Sequence, residues 1–291
     1  MTPLPRALIL ALAFCFGLPL VQISGTLHGQ AVPTDSILAI AHRLFAEATL
    51  LANQGLHDEA ETRLWQTLSI REKALGLDHP DVALTLHNLG FIYNAQGRYE
   101  EAEPLLRRAL IIRETAFGPQ HLEVALTLNS LAFTYGVQSR YDEAEPLYER
   151  ALAIDEIVLG PNHLEVAHVL SNLGMLYDDL GRYAEARTIY ERVLVIREAA
   201  LGSSHPNVAN ILINLASLYH HQGRYTEAVP LYRRALDIRR AELGPEHSDT
   251  SLALENLILA CELLFALPDV VQEQRSITAP ESMAMLCRLS P

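Results

Sequence analysis

The chain has 291 residues, 49% of them hydrophobic, few aromatics and a formal net charge of −13. That is ample material for a large core, and the acidic balance argues against nucleic acid and against an anionic membrane surface, both of which are gripped by Lys and Arg. Cys15, Cys261 and Cys287 carry neither metal-site nor redox-motif spacing; Cys261 and Cys287 read as unpaired, with Cys261 in a helix core, unless an oxidising compartment joins them.

Residues 1–31 read as an export signal. Arg6 supplies the charge, Ala7 to Phe16 the apolar run, and Gly29-Gln30-Ala31 the small residues of a cleavage site. The alternative is an uncleaved membrane anchor from residue 7 to 23, which is short for a span of about 20 residues and carries a Pro. Either reading puts the body of the chain outside, periplasmic or secreted, or anchored there. Asp35 or Ser36 is the expected N-cap of a first helix over 37–53. A turn at Gln54-Gly55-Leu56-His57 leads to a second helix over 58–74. From there one plan returns every 42 residues: a helix A (81–95 in the first full copy), a Gly-containing turn and a helix B (100–116). The repeats run over about 37–78, 79–120, 121–162, 163–204 and 205–246. A lone helix over 248–265 caps the array, and 266–291 is expected to be a poorly ordered tail.

The repetition is explicit. GRYEEAEPLLRRALIIRETAFG from Gly97 returns from Ser139, Gly181 and Gly223, with a worn copy from Gly55. Glu-Ala pairs end at Ala60, Ala102, Ala144, Ala186 and Ala228, and each helix B stops at a Gly followed three residues later by a His. Self-similarity at one fixed period is the mark of a solenoid. Leu86, Leu89, Gly90 and Tyr93 make one helical stripe, with Gly90 small enough to let helix B approach. Tyr99, Ala102, Leu106 and Ala109 face it; the same register puts Tyr183 in the core, so that Tyr183→Ala is expected to cost about 3 to 5 kcal/mol. Gly97 supplies a left-handed residue at the turn, a place Ser139 fills with strain. His79, His121, His163, His205 and His247 lie one per repeat. Metal ligands must converge within about 2 Å of an ion, so linker packing or helix capping is the expected role. Asn88, Asn172, Asn214 and Asn256 are expected to bond between repeats. Arg98, Arg140, Arg182 and Arg224 form a solvated edge, and the helix-B pairs Glu149-Arg150 and Arg233-Arg234 are expected to face solvent.

These columns resemble the tetratricopeptide repeat, and the linkers LGLDHPDVA, FGPQHLEVA, LGPNHLEVA, LGSSHPNVA and LGPEHSDTS resemble those of kinesin light chains. The resemblance implies an all-α, right-handed solenoid of helix-turn-helix repeats with a C-terminal capping helix. It also implies a concave groove lined by helix A, here at Leu84, His87, Phe91 and Asn94, then Leu126, Asn129 and Phe133, then Ser171 and Met175, with Phe45 in the first repeat. Kinesin light chains grip acidic peptides with basic groove residues; no Lys or Arg falls on this lining. The expected ligand is a protein or peptide with an apolar anchor at Phe91 and Phe133, hydrogen-bonded by Asn94, Asn129 and His87; alternatively the two phenylalanines lean into the gaps between helices. No catalytic constellation, cofactor or metal set is visible. The functional expectation is an exported, non-enzymatic adaptor. Its alternatives are a self-assembling structural module or an accessory subunit of an enzyme complex, with membrane contact only if the N-terminal segment stays uncleaved.

Overall fold

The computed structural model describes residues 34–266, so the expected signal or anchor and nearly all of the tail lie outside the described residues. Among these residues there are eleven α-helices and no strand: α1 (Thr34–Asn53), α2 (His57–Leu75), α3 (Pro80–Ala95), α4 (Tyr99–Phe117), α5 (Leu122–Val137), α6 (Tyr141–Leu159), α7 (Leu164–Asp179), α8 (Tyr183–Leu201), α9 (Pro206–His221), α10 (Tyr225–Leu243) and α11 (Ser248–Phe265). They fall into two compact units, one ending at Ile154 and the next beginning at Asp155, within α6. Each unit is a stack of helix pairs, the all-α solenoid arrangement. α1 packs on α2 and α3 on α4 in the first unit; α7 packs on α8, α9 on α10 and α10 on α11 in the second.

Helix ends follow from local chemistry. At five helix-A starts the linker His is the N-cap: the Nδ1 atoms of His79, His121, His163, His205 and His247 accept from the backbone N–H two residues on, at 3.1–3.2 Å. Each ring nitrogen satisfies one of the four N–H groups that a helix start leaves open. α1 begins earlier than expected, so Asp35 and Ser36 sit inside its first turn rather than capping it. The A-to-B turns need a left-handed residue. Gly97 takes φ 75°, and Ser139 takes φ 59°, the one non-glycine at positive φ among the described residues.

Close approach of helices A and B rests on the small-residue column. A methyl group added at Gly90 would stand 2.6 Å from Leu106 Cγ, and one at Gly174 would stand 2.5 Å from Tyr190 Cε1. Ala102, Leu106 and Ala109 are fully buried. Four further expectations are corrected. Tyr183 is 36% exposed, because as the first residue of α8 it lies at the edge of the helix pair. Asn88 donates to Leu84 O of its own helix, 2.8 Å away, instead of to another repeat. The paired helix-B arginines do not simply face solvent. Arg108, Arg150, Arg192 and Arg234 bridge to Glu72, Glu114, Glu156 and Glu198 of the preceding helix B. Each also donates to a carbonyl of the intervening linker. Finally, Cys261 is fully buried and disulfide-bonded, which corrects its reading as a free thiol; both other cysteines lie outside the described residues.

Candidate functional site

The helix-A faces, whose residues lie three and four apart in sequence, carry side chains of two kinds. In the first unit Leu84, Phe91 and Phe133 are half-buried and Leu126 is exposed. Phe91 and Phe133 therefore keep part of their rings open instead of filling a gap completely. The polar members lie deeper: His87, Asn94 and Asn129 are each below a tenth exposed. Asn94 is committed to its neighbour. Its Oδ1 accepts from Thr134 Oγ1 at 3.0 Å and its Nδ2 donates to Ser130 O at 3.5 Å, tying α3 to α5. In the second unit Met175 is half-buried, and Ser171 is buried between two partners. The Ser171 hydroxyl donates to Ala167 O at 2.6 Å and accepts from Arg197 Nη2 at 2.9 Å. Hydrogen bonding to a ligand by Asn94 and Ser171 thus competes with bonds already made.

Beneath these faces runs a feature that the sequence reading missed. Arg71, Arg113, Arg197 and Arg239 recur on helix B with the 42-residue period, and Asp155 takes the fifth place. Arg71, Arg113 and Arg239 are almost fully buried. Arg71 Nη1 donates to Asp81 O and Thr85 Oγ1, both 2.9 Å away. Arg113 Nη1 does the same to Glu123 O and Thr127 Oγ1, and its Nη2 pairs with Glu123 at 2.5 Å. Arg197 donates to Asn207 O, and Arg239 pairs with Asp249 and donates to Asn210 Oδ1. A buried guanidinium needs acceptors for its donors, and here each one fastens helix B to the first turn of the next helix A. Arg71 Nε, Arg239 Nε and, apart from its ion pair with Glu123, Arg113 Nη2 stay buried without a hydrogen-bond partner. Burial lowers the affinity of Arg113 and Arg197 for their protons, for Arg197 to a pKa of about 10. The signal was present as an Arg inside an apolar run at every period but one.

This layer sets the electrostatics of the face above it. The Arg71 guanidinium lies 4.8 Å from the ring centre of Phe45. His87 is driven down to a pKa of about 3, first by burial and then by the positive charge of Arg113. Its Nδ1 is buried with no hydrogen-bond partner. The groove-face histidine is consequently neutral at physiological pH. Among the described residues no group of three or more His, Cys, Asp or Glu could hold a metal ion, and no helix is long and apolar enough to cross a membrane.

Comparison with known proteins agrees with this architecture. No curated protein sequence matches the chain. The crystal structure of BtubC (BKLC) from P. vanneervenii is similar in fold: TM-score 0.58, 21% identity, covering 90% of this chain and 94% of that one. Two crystal structures of a kinesin light chain from Podosopora anserina, with nearly identical TPR-like repeats, match at TM-scores of 0.60 and 0.59. Both are 26% identical, covering 71% and 70% of this chain and 97% of theirs. The profile of the Tetratricopeptide repeat family matches residues 38–115, 81–156, 123–199, 179–241 and 207–265. With the helix pairs, the small crossing residues and the His-capped linkers already in place, these matches cover the array from end to end, and the chain belongs to the tetratricopeptide repeat family.

Proposed function

We propose that this chain is an exported, non-enzymatic adaptor that holds a protein or peptide segment on its helix-A faces through an apolar anchor, in keeping with the protein–protein interaction and scaffolding that tetratricopeptide repeats generally mediate. The observation that carries the reading is the division of labour in the first unit. The polar groups of Asn94 and Thr134 are spent on tying α3 to α5, whereas Leu84, Phe91, Leu126 and Phe133 keep apolar surface open to solvent. Partly exposed aromatics on a recessed face are typical binding anchors. The acidic charge supports a protein partner over nucleic acid. Export rests on the signal-like pattern of residues 1–31 and is checked by fractionating cells that express the tagged full chain: a product shortened after Ala31 outside the cytoplasm supports it, and an uncleaved cytoplasmic product refutes it.

The binding reading is tested by capture from the exported fraction with the parent chain and with a Phe91→Ala/Phe133→Ala variant of equal helicity. A partner held by the parent and lost by the variant is the expected result. A partner retained by the variant refutes the apolar groove.

A further inference from the structure

The turn arginines, read from sequence as a solvated edge, are in fact a repeated receptor for a carboxylate. In the first unit Arg98 uses Nε and Nη2 to hold Glu101 on its own helix, at 2.8 and 2.7 Å, and Nη1 to hold Glu61 of the preceding helix B, at 2.6 Å. Tyr93, whose ring lies 4.1 Å under the Arg98 guanidinium, donates its hydroxyl to the other Glu61 oxygen at 2.8 Å. One period later Arg140 holds Glu143 and Glu103 with the same three atoms, and Tyr135 donates to Glu103 at 3.1 Å. Arg140 keeps the Glu103 carboxyl below the usual carboxylate range.

At the last turn the receptor is present but its internal ligand is not. Arg224 lies 4.6 Å over the Tyr219 ring and holds Glu227 through Nε and Nη2, at 2.8 and 2.6 Å. Among the described residues its Nη1 donates to Gln222 Oε1, at 3.4 Å, and to no carboxylate. The helix-B position that carries Glu61 and Glu103 in the earlier copies is Arg187. Arg187 and Arg224 line one recess of about 300 Å³, together with Tyr183, Ala184 and Gln222. Arg187 Nε is buried without a hydrogen-bond partner, and the carboxylate paired with it, that of Glu191, stands 3.8 Å away. Two guanidinium groups thus share a recess at a position where the fold elsewhere seats a carboxylate between an arginine and a tyrosine hydroxyl.

We propose that the recess between Arg187 and Arg224 binds a carboxylate of a partner polypeptide, an acidic side chain or a C-terminus, in the place that Glu61 and Glu103 occupy in the first unit. The internal glutamates define the ligand chemistry: a planar anion bonded by arginine Nη1 and a tyrosine hydroxyl. The field of a chain with net charge −13 repels acidic peptides generally, so capture of one requires a local site. The site is separate from the apolar face at Phe91 and Phe133, and its failure leaves that reading intact.

The test titrates the full chain at low ionic strength with an acetylated, amidated tetraglutamate peptide, and separately with inorganic phosphate, by calorimetry. Saturable peptide binding is expected, weakened at least tenfold by Arg187→Gln and abolished by Arg187→Glu, which restores the internal ligand. Arg187→Glu is also expected to raise the melting temperature, because it replaces a cation pair with the arrangement seen at Glu61. Absence of peptide binding by the parent, equal binding by both variants, a lower melting temperature for Arg187→Glu, or phosphate binding as tightly as the peptide would each overturn the proposal.

Discussion

His87 shows how much a single position depends on a residue far along the chain. Its spacing from Leu84 and Phe91 assigns it to the helix-A face, as a hydrogen-bonding group for a ligand. The structure keeps it on that helix but buries the ring and sets the Arg113 charge beside it, driving its pKa to about 3. An unfolded histidine titrates near 6.5, so between about pH 6.5 and 3 the unfolded chain takes up a proton that the folded chain refuses. The stability associated with neutral His87 is fully present above the upper limit of this window and is lost as pH falls through it. Chemical denaturation of the parent and His87→Asn at pH 7.5, 5.5 and 4 should show a shallower pH dependence in the variant. Parallel curves would mean that the ring is not buried in this way.

At the scale of one helix, α8 separates two tyrosines that look alike in sequence. Tyr183 opens the helix and is 36% exposed, whereas Tyr190, two turns on, is 1% exposed and packs against Gly174. Tyr190→Ala should cost about 3–5 kcal/mol, the usual range for truncating a buried large aromatic. Tyr183→Ala should cost less than about 1 kcal/mol, as exposed substitutions do. Urea denaturation of the two variants decides between this register and the one expected from the Gly-x-Tyr spacing alone. The helix ends, in contrast, were legible in advance. A histidine at a fixed offset before each helix A has a specific local task, accepting the N–H two residues on, and all five perform it. The paired arginines of helix B were misread because their glutamate partners lie 36 residues away, beyond any pattern within one helix.

Across the whole molecule the buried arginine column is interrupted once, at Asp155, where the chain also divides into its two compact units. Asp155 is 6% exposed. Burial, and secondarily the like charge of Glu165, push its pKa up to about 6, against the opposing pull of His163 and His168. Its folded pKa is above the unfolded value, so the folded chain holds the extra proton between about pH 4 and 6, and charging Asp155 destabilises the fold as pH rises through that window. Asp155→Asn should raise the melting temperature at pH 8 and leave it unchanged at pH 4; equal effects at both pH values would dismiss the buried charge. The 42-residue period, the helix pairs, the small crossing residues and the caps were all set by the amino-acid order, because helix periodicity and the hydrogen bonds of helix ends are satisfied within a few residues. Tertiary structure decided which polar groups of the helix-A face are already spent, where the arginines of helix B go, and that Arg187 and Arg224 line one recess. Those outcomes join groups 10 to 40 positions apart on different helices, and their burial exists only once the repeats are stacked.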